Sequence, residues 1–257
     1  MNIVVHISFF YSRGRFKYLT EVIREIGSYD YETDIFVHTN RNFSKHILGE
    51  YTNGKLEIVV HKLPKGPFYL TWAHRDLMLS QRDQYDVFMY IEDDIRVPKA
   101  AISYWLNYKD RLLEIDLNLG FLRIEIDRDG IERTTDNSNS PDGTVSQRLT
   151  RIMEIDGKKF VINDQNPYCA FWIYDKRSFN VFVDSKFWNI ENIVGYGVRE
   201  SAAIGMTQKY KYTVIPVDGD RPAAGCKIYH LPNNYIDATW RLNRFDNVIE
   251  RGTTQRP

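Results

Sequence analysis

Short apolar runs alternate with amphipathic stretches along the first half of the chain. Ile3 to Phe10 is rich in β-branched and aromatic residues and predicts a buried strand beginning almost at the first residue. Tyr11-Ser-Arg-Gly-Arg15 follows as a loop. From Phe16 to Ile26, the residues Leu19, Val22, Ile23 and Ile26 recur at helical spacing and predict a helix with one apolar face. Asp34 to His38 and Leu56 to Val60 predict two more strands. Strand, helix, strand, short helix, strand is the order of a parallel sheet with helices packed on it.

Pro64-Lys-Gly-Pro67 reads as a turn, and Tyr69 to Gln81 as a helix with Leu70, Ala73, Leu77 and Met78 on its apolar side. Val87-Phe-Met-Tyr-Ile91 is the clearest buried strand, and it stops abruptly at Glu92-Asp93-Asp94. Pro98 marks the start of a helix over Lys99 to Ile115, and Leu119 to Ile126 predicts a strand. Residues 127–145 are polar and predict a loop, either a boundary or a mobile segment. Arg151 to Glu154, Lys159 to Ile162, Ala170 to Tyr174, Tyr212 to Val217 and Lys227 to His230 read as strands. Lys176 to Val183 and Ile190 to Met206 read as helices, and Glu250 to Pro257 as a frayed tail.

Composition narrows the classes. At 257 residues the chain can bury a sizeable core. Lys plus Arg and Asp plus Glu each number 34, so there is no basic excess of the kind that binds nucleic acid through phosphate neutralisation. Cys169 and Cys226 form no metal-type CxxC pair, and two reduced core thiols are the expectation. The N-terminus lacks a signal-peptide pattern, and no run approaches the ~18 apolar residues of a membrane helix. These features predict a cytoplasmic protein and leave peripheral contact with a membrane surface open.

The acidic triplet carries the chemistry. Three successive carboxylates at the carboxyl end of a buried strand repel one another, so something positive must offset them. Ligands of open parallel sheets bind beyond the carboxyl ends of the strands. A hard divalent cation suits oxygen ligands there, its shell completed by phosphate oxygens and water.

Ile91-Glu-Asp-Asp94 at a strand end, about 90 residues into the chain, resembles the DxD element of metal-dependent GT-A glycosyltransferases. Gly195-Tyr-Gly-Val-Arg-Glu-Ser-Ala-Ala203 resembles the element carrying the catalytic carboxylate of inverting members, and Tyr229-His-Leu-Pro-Asn-Asn-Tyr235 resembles their late metal-binding histidine. The resemblance implies an α/β GT-A (Rossmann-like) fold: a mixed, mostly parallel sheet flanked by helices, in a single domain. Residues 1–126 would be its nucleotide-sugar-binding half and 127–249 its acceptor-binding and catalytic half, followed by the tail 250–257. It implies Mn²⁺ or Mg²⁺ on Asp94 and His230, with Glu92 and Asp93 contacting the nucleotide or the cation. Glu200 becomes the base that deprotonates an acceptor hydroxyl. Ser8, Tyr11, Arg15, Thr39 and Arg75 become donor contacts, a UDP-sugar the default donor, and a glycan or glycoconjugate the acceptor. Two alternatives stay open: a nucleotidyltransferase that forms nucleotide-sugars, which the single glycine of the first loop disfavours, and a non-catalytic carbohydrate-binding domain.

Overall fold

The computed structural model describes residues 1–250, with Gln208 described through its backbone alone. Of the tail expected to fray, only Glu250 falls among the described residues, and its amide donates to the Leu149 carbonyl. The elements begin with β1 (Ile3–Phe9), α1 (Phe16–Gly27), β2 (Thr33–Thr39), α2 (His46–Gly49) and β3 (Leu56–Val60). Then come α3 (Arg75–Ser80), β4 (Val87–Glu92), β5 (Ile95–Arg96), α4 (Lys99–Glu114), β6 (Leu122–Ile126), β7 (Glu132–Asn139), β8 (Arg151–Ile155) and β9 (Lys158–Asn163). The chain continues through β10 (Phe171–Asp175), α5 (Lys176–Val183), α6 (Val198–Ala203) and α7 (Thr207–Tyr210). It ends with β11 (Thr213–Asp218), β12 (Arg221–Pro222), β13 (Lys227–His230) and β14 (Arg241–Arg244).

These elements form a mixed α/β structure divided between two compact units whose segments alternate along the sequence. The first comprises Met1–Lys99 and Ala170–Met206, the second Ala100–Cys169 and the chain from Thr207 onward. The units therefore do not part at the expected 126/127 boundary. The reason lies in β10, which returns to pair antiparallel with β4.

The sheet of the first unit has the order β10-β4-β1-β2-β3, and β4, β1, β2 and β3 run parallel. Every residue of β1 and β4 is buried, which is why both read as continuous apolar runs. α1 lays Leu19, Val22, Ile23 and Ile26 into the core, and full burial of such side chains stabilises by roughly 1.5–3 kcal/mol each. Winding proceeds from β1 through β2 to β3, then reverses to place β4 on the other side of β1. The switch point of this sheet lies between β1 and β4, where open α/β sheets bind ligands.

In the second unit, β14-β7-β6-β13 form one sheet and β12-β11-β9-β8 an antiparallel one. Here the polar segment departs from expectation. Residues 127–145 contain β7, an eight-residue strand between β6 and β14. Hydroxyls and amides occupy its buried positions, and most of their polar atoms are hydrogen-bonded in place. Thr134 Oγ1 donates to the Asn137 carbonyl at 2.9 Å, and Asn243 Nδ2 donates to the same carbonyl at 2.9 Å. A strand stabilised by such a network carries no apolar alternation to read.

Two expected helices are broken. The stretch from Tyr69 to Gln81 splits into a 3₁₀ turn over Pro67–Trp72 and α3. That from Ile190 to Met206 splits into a 3₁₀ turn over Ile190–Asn192 and α6, because Gly195 sits at φ +86°, outside helical space.

Candidate active site

β4 delivers the three acids to the switch point. Glu92, Asp93 and Asp94 are 8%, 4% and 5% exposed, so their charges are nearly sealed from water. The Asp93 amide donates to the Ser8 carbonyl at the end of β1, which ties the two strand ends together. The compensating positive charge comes from Arg15, in the loop between β1 and α1. Its Nε and one terminal nitrogen donate to the two oxygens of Asp93 at 3.0 and 2.8 Å, and that nitrogen also donates to Asp94 at 2.8 Å. A planar fork is suited to this geometry.

The titration of the cluster is divided. Burial raises the Asp93 carboxyl well above the ordinary carboxylate range, against the lowering pull of Arg15, and the neighbouring Asp94 adds to the rise. Burial alone would lower Arg15, but the hydrogen bond and charge of Asp93, joined by Asp94, raise it. The cluster thus holds its cation firmly and is reluctant to keep two full negative charges.

The other expected donor contacts are placed as follows. Ser8 is buried, its hydroxyl 3.0 Å from Tyr90 Oη. Tyr11 donates its amide to Asn40 Oδ1 at 2.8 Å, so Asn40 fixes the loop after β1. Thr39 is fully buried, and its hydroxyl donates to the Arg41 carbonyl at 3.4 Å. Arg75 is 5% exposed, and its guanidinium donates to the Ala202 carbonyl at 3.2 Å. Its guanidinium carbon stands 4.3–5.7 Å from the ring centroids of Trp188, Trp72, Phe182 and Trp172. Burial lowers Arg75 to about 9. Contact with a nucleotide would require this aromatic cage to open.

Glu200 lies in the first turn of α6 with its side chain 38% exposed, and Arg199 approaches it at 3.6 Å. The carboxylate folds back over Gly197, where an added Cβ would meet Glu200 Oε2 at 2.4 Å. Trp72 Nε1 donates to the Val198 carbonyl and Trp172 Nε1 to that of Ala202, so two indoles seat this short helix. In the second unit, His230 ends β13, with Nδ1 2.5 Å from Glu125 Oε1. Glu125 is fully buried and also accepts the Tyr235 amide. A carboxylate behind an imidazole is the arrangement that orients metal-binding histidines.

Among the described residues, no group of three or more His, Cys, Asp and Glu side chains is arranged to hold a metal ion. Asp93 and Asp94 are nonetheless hard oxygen donors of the right kind, since Mg²⁺ and Mn²⁺ make do with one or two carboxylates and take the rest of their shell from phosphate and water. Their chemistry fits such a cation once Arg15 yields part of its hold.

A cavity of about 710 Å³ opens in the first unit beside the carboxyl ends of β1, β2 and β3, lined by Phe10, Asn40, His61, Lys62, Pro64 and Pro67 among others. His61 escaped the sequence reading. Its signal was present in Val-Val-His6-Ile and Phe-Val-His38-Thr, two histidines set into apolar strands that point toward it. A second cavity, of about 600 Å³, belongs to the second unit and is lined by Asp218, Arg221, Arg244 and Asp246, none of them an expected site residue. Cys169 and Cys226 are buried and unbridged, and no helix among the described residues is long and apolar enough to cross a membrane.

No family model and no curated protein matches the chain. Among solved structures it resembles S. aureus TarS residues 1–349 in complex with UDP, at 13% identity over 89% of this chain and 60% of that one, with a TM-score of 0.45. The same protein with UDP-GlcNAc gives 14% identity, 92% and 62% coverage and a TM-score of 0.42. The bifunctional glycosyltransferase WbbM, in its apo form, gives 14% identity, 80% and 37% coverage and a TM-score of 0.38. The chain spans less than two thirds of the length of each of these structures. Likeness at this level assigns no activity to the chain.

Proposed function

We propose that this chain is a glycosyltransferase of the GT-A class that moves a sugar from a nucleotide-sugar, a UDP-sugar by default, to a hydroxyl of a glycan or glycoconjugate in the cytoplasm. One observation carries the reading: a buried pair of aspartates at the switch point of a parallel sheet, bridged by an arginine from the loop after β1. That combination serves a diphosphate. The guanidinium offers forked donors to phosphate oxygens, and the carboxylates orient it. In this reading residues 1–126 supply the donor side, with Ser8, Tyr11, Thr39, Arg75, Glu92 and Asp93 beside Arg15. Residues 127–249 supply the acceptor side.

Mn²⁺ or Mg²⁺ on Asp94, with His230 as its imidazole ligand, would stabilise charge on the departing nucleotide diphosphate. Asp94 accepts from Arg15 just beyond β4, and Glu125 would fix the tautomer of His230 by accepting from Nδ1. Glu200 is half-exposed and takes the proton of the acceptor hydroxyl, which attacks with inversion at the sugar carbon.

Titration calorimetry with UDP, with and without Mn²⁺, tests the donor. Tighter binding with the cation is expected, and indifference to both would overturn the proposal. Asp94→Asn should abolish transfer. Glu200→Gln should slow it by about 100-fold or more while sparing UDP affinity, since general bases contribute 10²–10⁴-fold. Full turnover in either variant would remove the role given to that residue.

A further inference from the structure

Three histidines form a diagonal across the parallel sheet of the first unit. His6 lies in β1, His38 in β2, and His61 directly follows β3. Register produces the diagonal. His6 pairs with Phe36, two residues before His38, and His38 pairs with Val59, two before His61. An offset of two keeps side chains on one face of a sheet. His6 Nδ1 is 2.8 Å from His38 Nε2, and His38 Nδ1 is 2.8 Å from His61 Nε2. At the inner end, His6 Nε2 is 2.9 Å from Gln81 Oε1. His6 and His38 are fully buried and Gln81 is 5% exposed.

A neutral imidazole has one N–H and one lone pair, so the tautomers of such a chain are coupled. An amide oxygen only accepts. His6 therefore carries its proton on Nε2, which leaves Nδ1 to accept from His38 Nε2. His38 Nδ1 accepts from His61 Nε2 in turn. The lone pair emerges on His61 Nδ1, the one ring nitrogen of these three histidines with no hydrogen-bond partner among the described residues, and His61 lines the cavity beside the strand ends. Burial holds the inner rings neutral. It lowers His6 to about 3 and His38 well below the ordinary histidine range.

The facing groups complete a pattern. Asn40 Oδ1 accepts the Tyr11 amide, which fixes the orientation of the side-chain amide and leaves its NH₂ as a donor for a ligand. Phe10 is 45% exposed, and its ring with Pro64 and Pro67 supplies flat apolar surface. Lys62 adds a cation. An acceptor beside a donor, over apolar faces, complements a planar heterocycle with a lactam edge, an N–H next to a carbonyl.

We propose that Gln81, His6 and His38 act as a positioning relay that presents His61 Nδ1 as the acceptor for a lactam N–H in this cavity, the base of the nucleotide donor. The assignment of the base rests on the glycosyltransferase reading. The relay stands on its own geometry.

Two measurements separate them. Imidazole ¹⁵N NMR of the full chain should show His61 as the Nε2–H tautomer. An Nδ1–H tautomer overturns the relay whatever the ligand. Calorimetry should show N3-methyl-UDP and CDP, which lack the N–H, binding at least tenfold more weakly than UDP. UDP against GDP tells which lactam-bearing base the site takes. In Gln81→Leu and in His61→Phe the penalty for N3-methylation should fall below threefold. Gln81→Glu keeps an acceptor in place and should retain the penalty and the tautomer. Equal binding of UDP and N3-methyl-UDP by the natural chain overturns the proposal. Failure of every nucleoside diphosphate to bind overturns the glycosyltransferase reading and the base with it, while the NMR result still judges the relay.

Discussion

Two arginines, one in each unit, are held by aspartates, and they do different work. In the second unit Arg123 makes a fork to Asp136, with Nε to Oδ2 at 2.8 Å and a terminal nitrogen to Oδ1 at 2.7 Å. Both side chains are 9% exposed, and the Tyr168 and Tyr235 rings lie 5.1 and 5.3 Å from the guanidinium. In the first unit Arg15 spans Asp93 and Asp94 with the same fork, but its own side chain is 38% exposed above acids whose side chains are 6% and 8% exposed. The first pair is nearly enclosed by protein. The second is a buried anion with a cation that water, or a ligand, can reach. Sealing suits a permanent structural pair, and one open side suits an exchangeable one.

The largest effect should come from the sealed pair. Asp136→Ala leaves Arg123 buried beside no carboxylate of its own, and removing one partner of a buried pair costs about 3–5 kcal/mol. Urea unfolding reads the loss directly, and a cost within 1 kcal/mol would show that the tyrosine rings alone suffice.

Acid should separate the units next. His6 is fully buried with its pKa lowered from 6.5 to about 3, and burial also lowers His38 and His74. Between pH 6.5 and 3 the unfolded chain binds more protons at these sites than the folded one, so stability falls as pH falls. Asp93, raised by burial, works the other way in part of that window, but one carboxyl opposes three imidazoles. Hydrogen exchange at pH 5, corrected for intrinsic rates, should therefore show β1 and β2 loosening before β6 and β7. The reverse order would break the contrast.

The smallest effect, and the most telling, belongs to Arg15→Met. Arg15 is part-exposed, so solvent screening holds the loss to about 1 kcal/mol. It should be larger at pH 8 than at pH 5, because an Asp93 that takes up a proton needs no counter-charge. Millimolar Mn²⁺ should restore the loss at pH 8, as measured by thermal midpoint. No restoration would mean that the aspartate pair does not accept a cation in place of the guanidinium.

Legibility followed the source of stability. β1 and β4 are buried on both faces, and their apolar runs announce it. α5 matched its expected span from Lys176 to Val183, aided by Asp175, whose side chain accepts the Ser178 amide as a cap. β7 was illegible because Thr134, Asn137 and Ser138 are buried through hydrogen bonds, which leave no periodic apolar trace. The need for a positive charge beside Glu92-Asp93-Asp94 was legible, but the arginine that meets it lies 78 residues from Asp93 in sequence. The cage around Arg75, expected as a donor contact, was not legible because Trp172, Phe182 and Trp188 arrive from a segment about a hundred residues later. The histidine diagonal needed strand register, which spacing along the chain does not supply.

The return of β10 to the first sheet bears on how the chain is made. A ribosome issues β4 about 80 residues before β10, so the growing polypeptide carries an unzipped strand edge while the entire intervening stretch emerges. Synthesis must pass α6 and reach Met206 before the first unit has all its pieces. A nascent chain arrested short of that point should be the species most exposed to intermolecular strand pairing, and the one most dependent on chaperones.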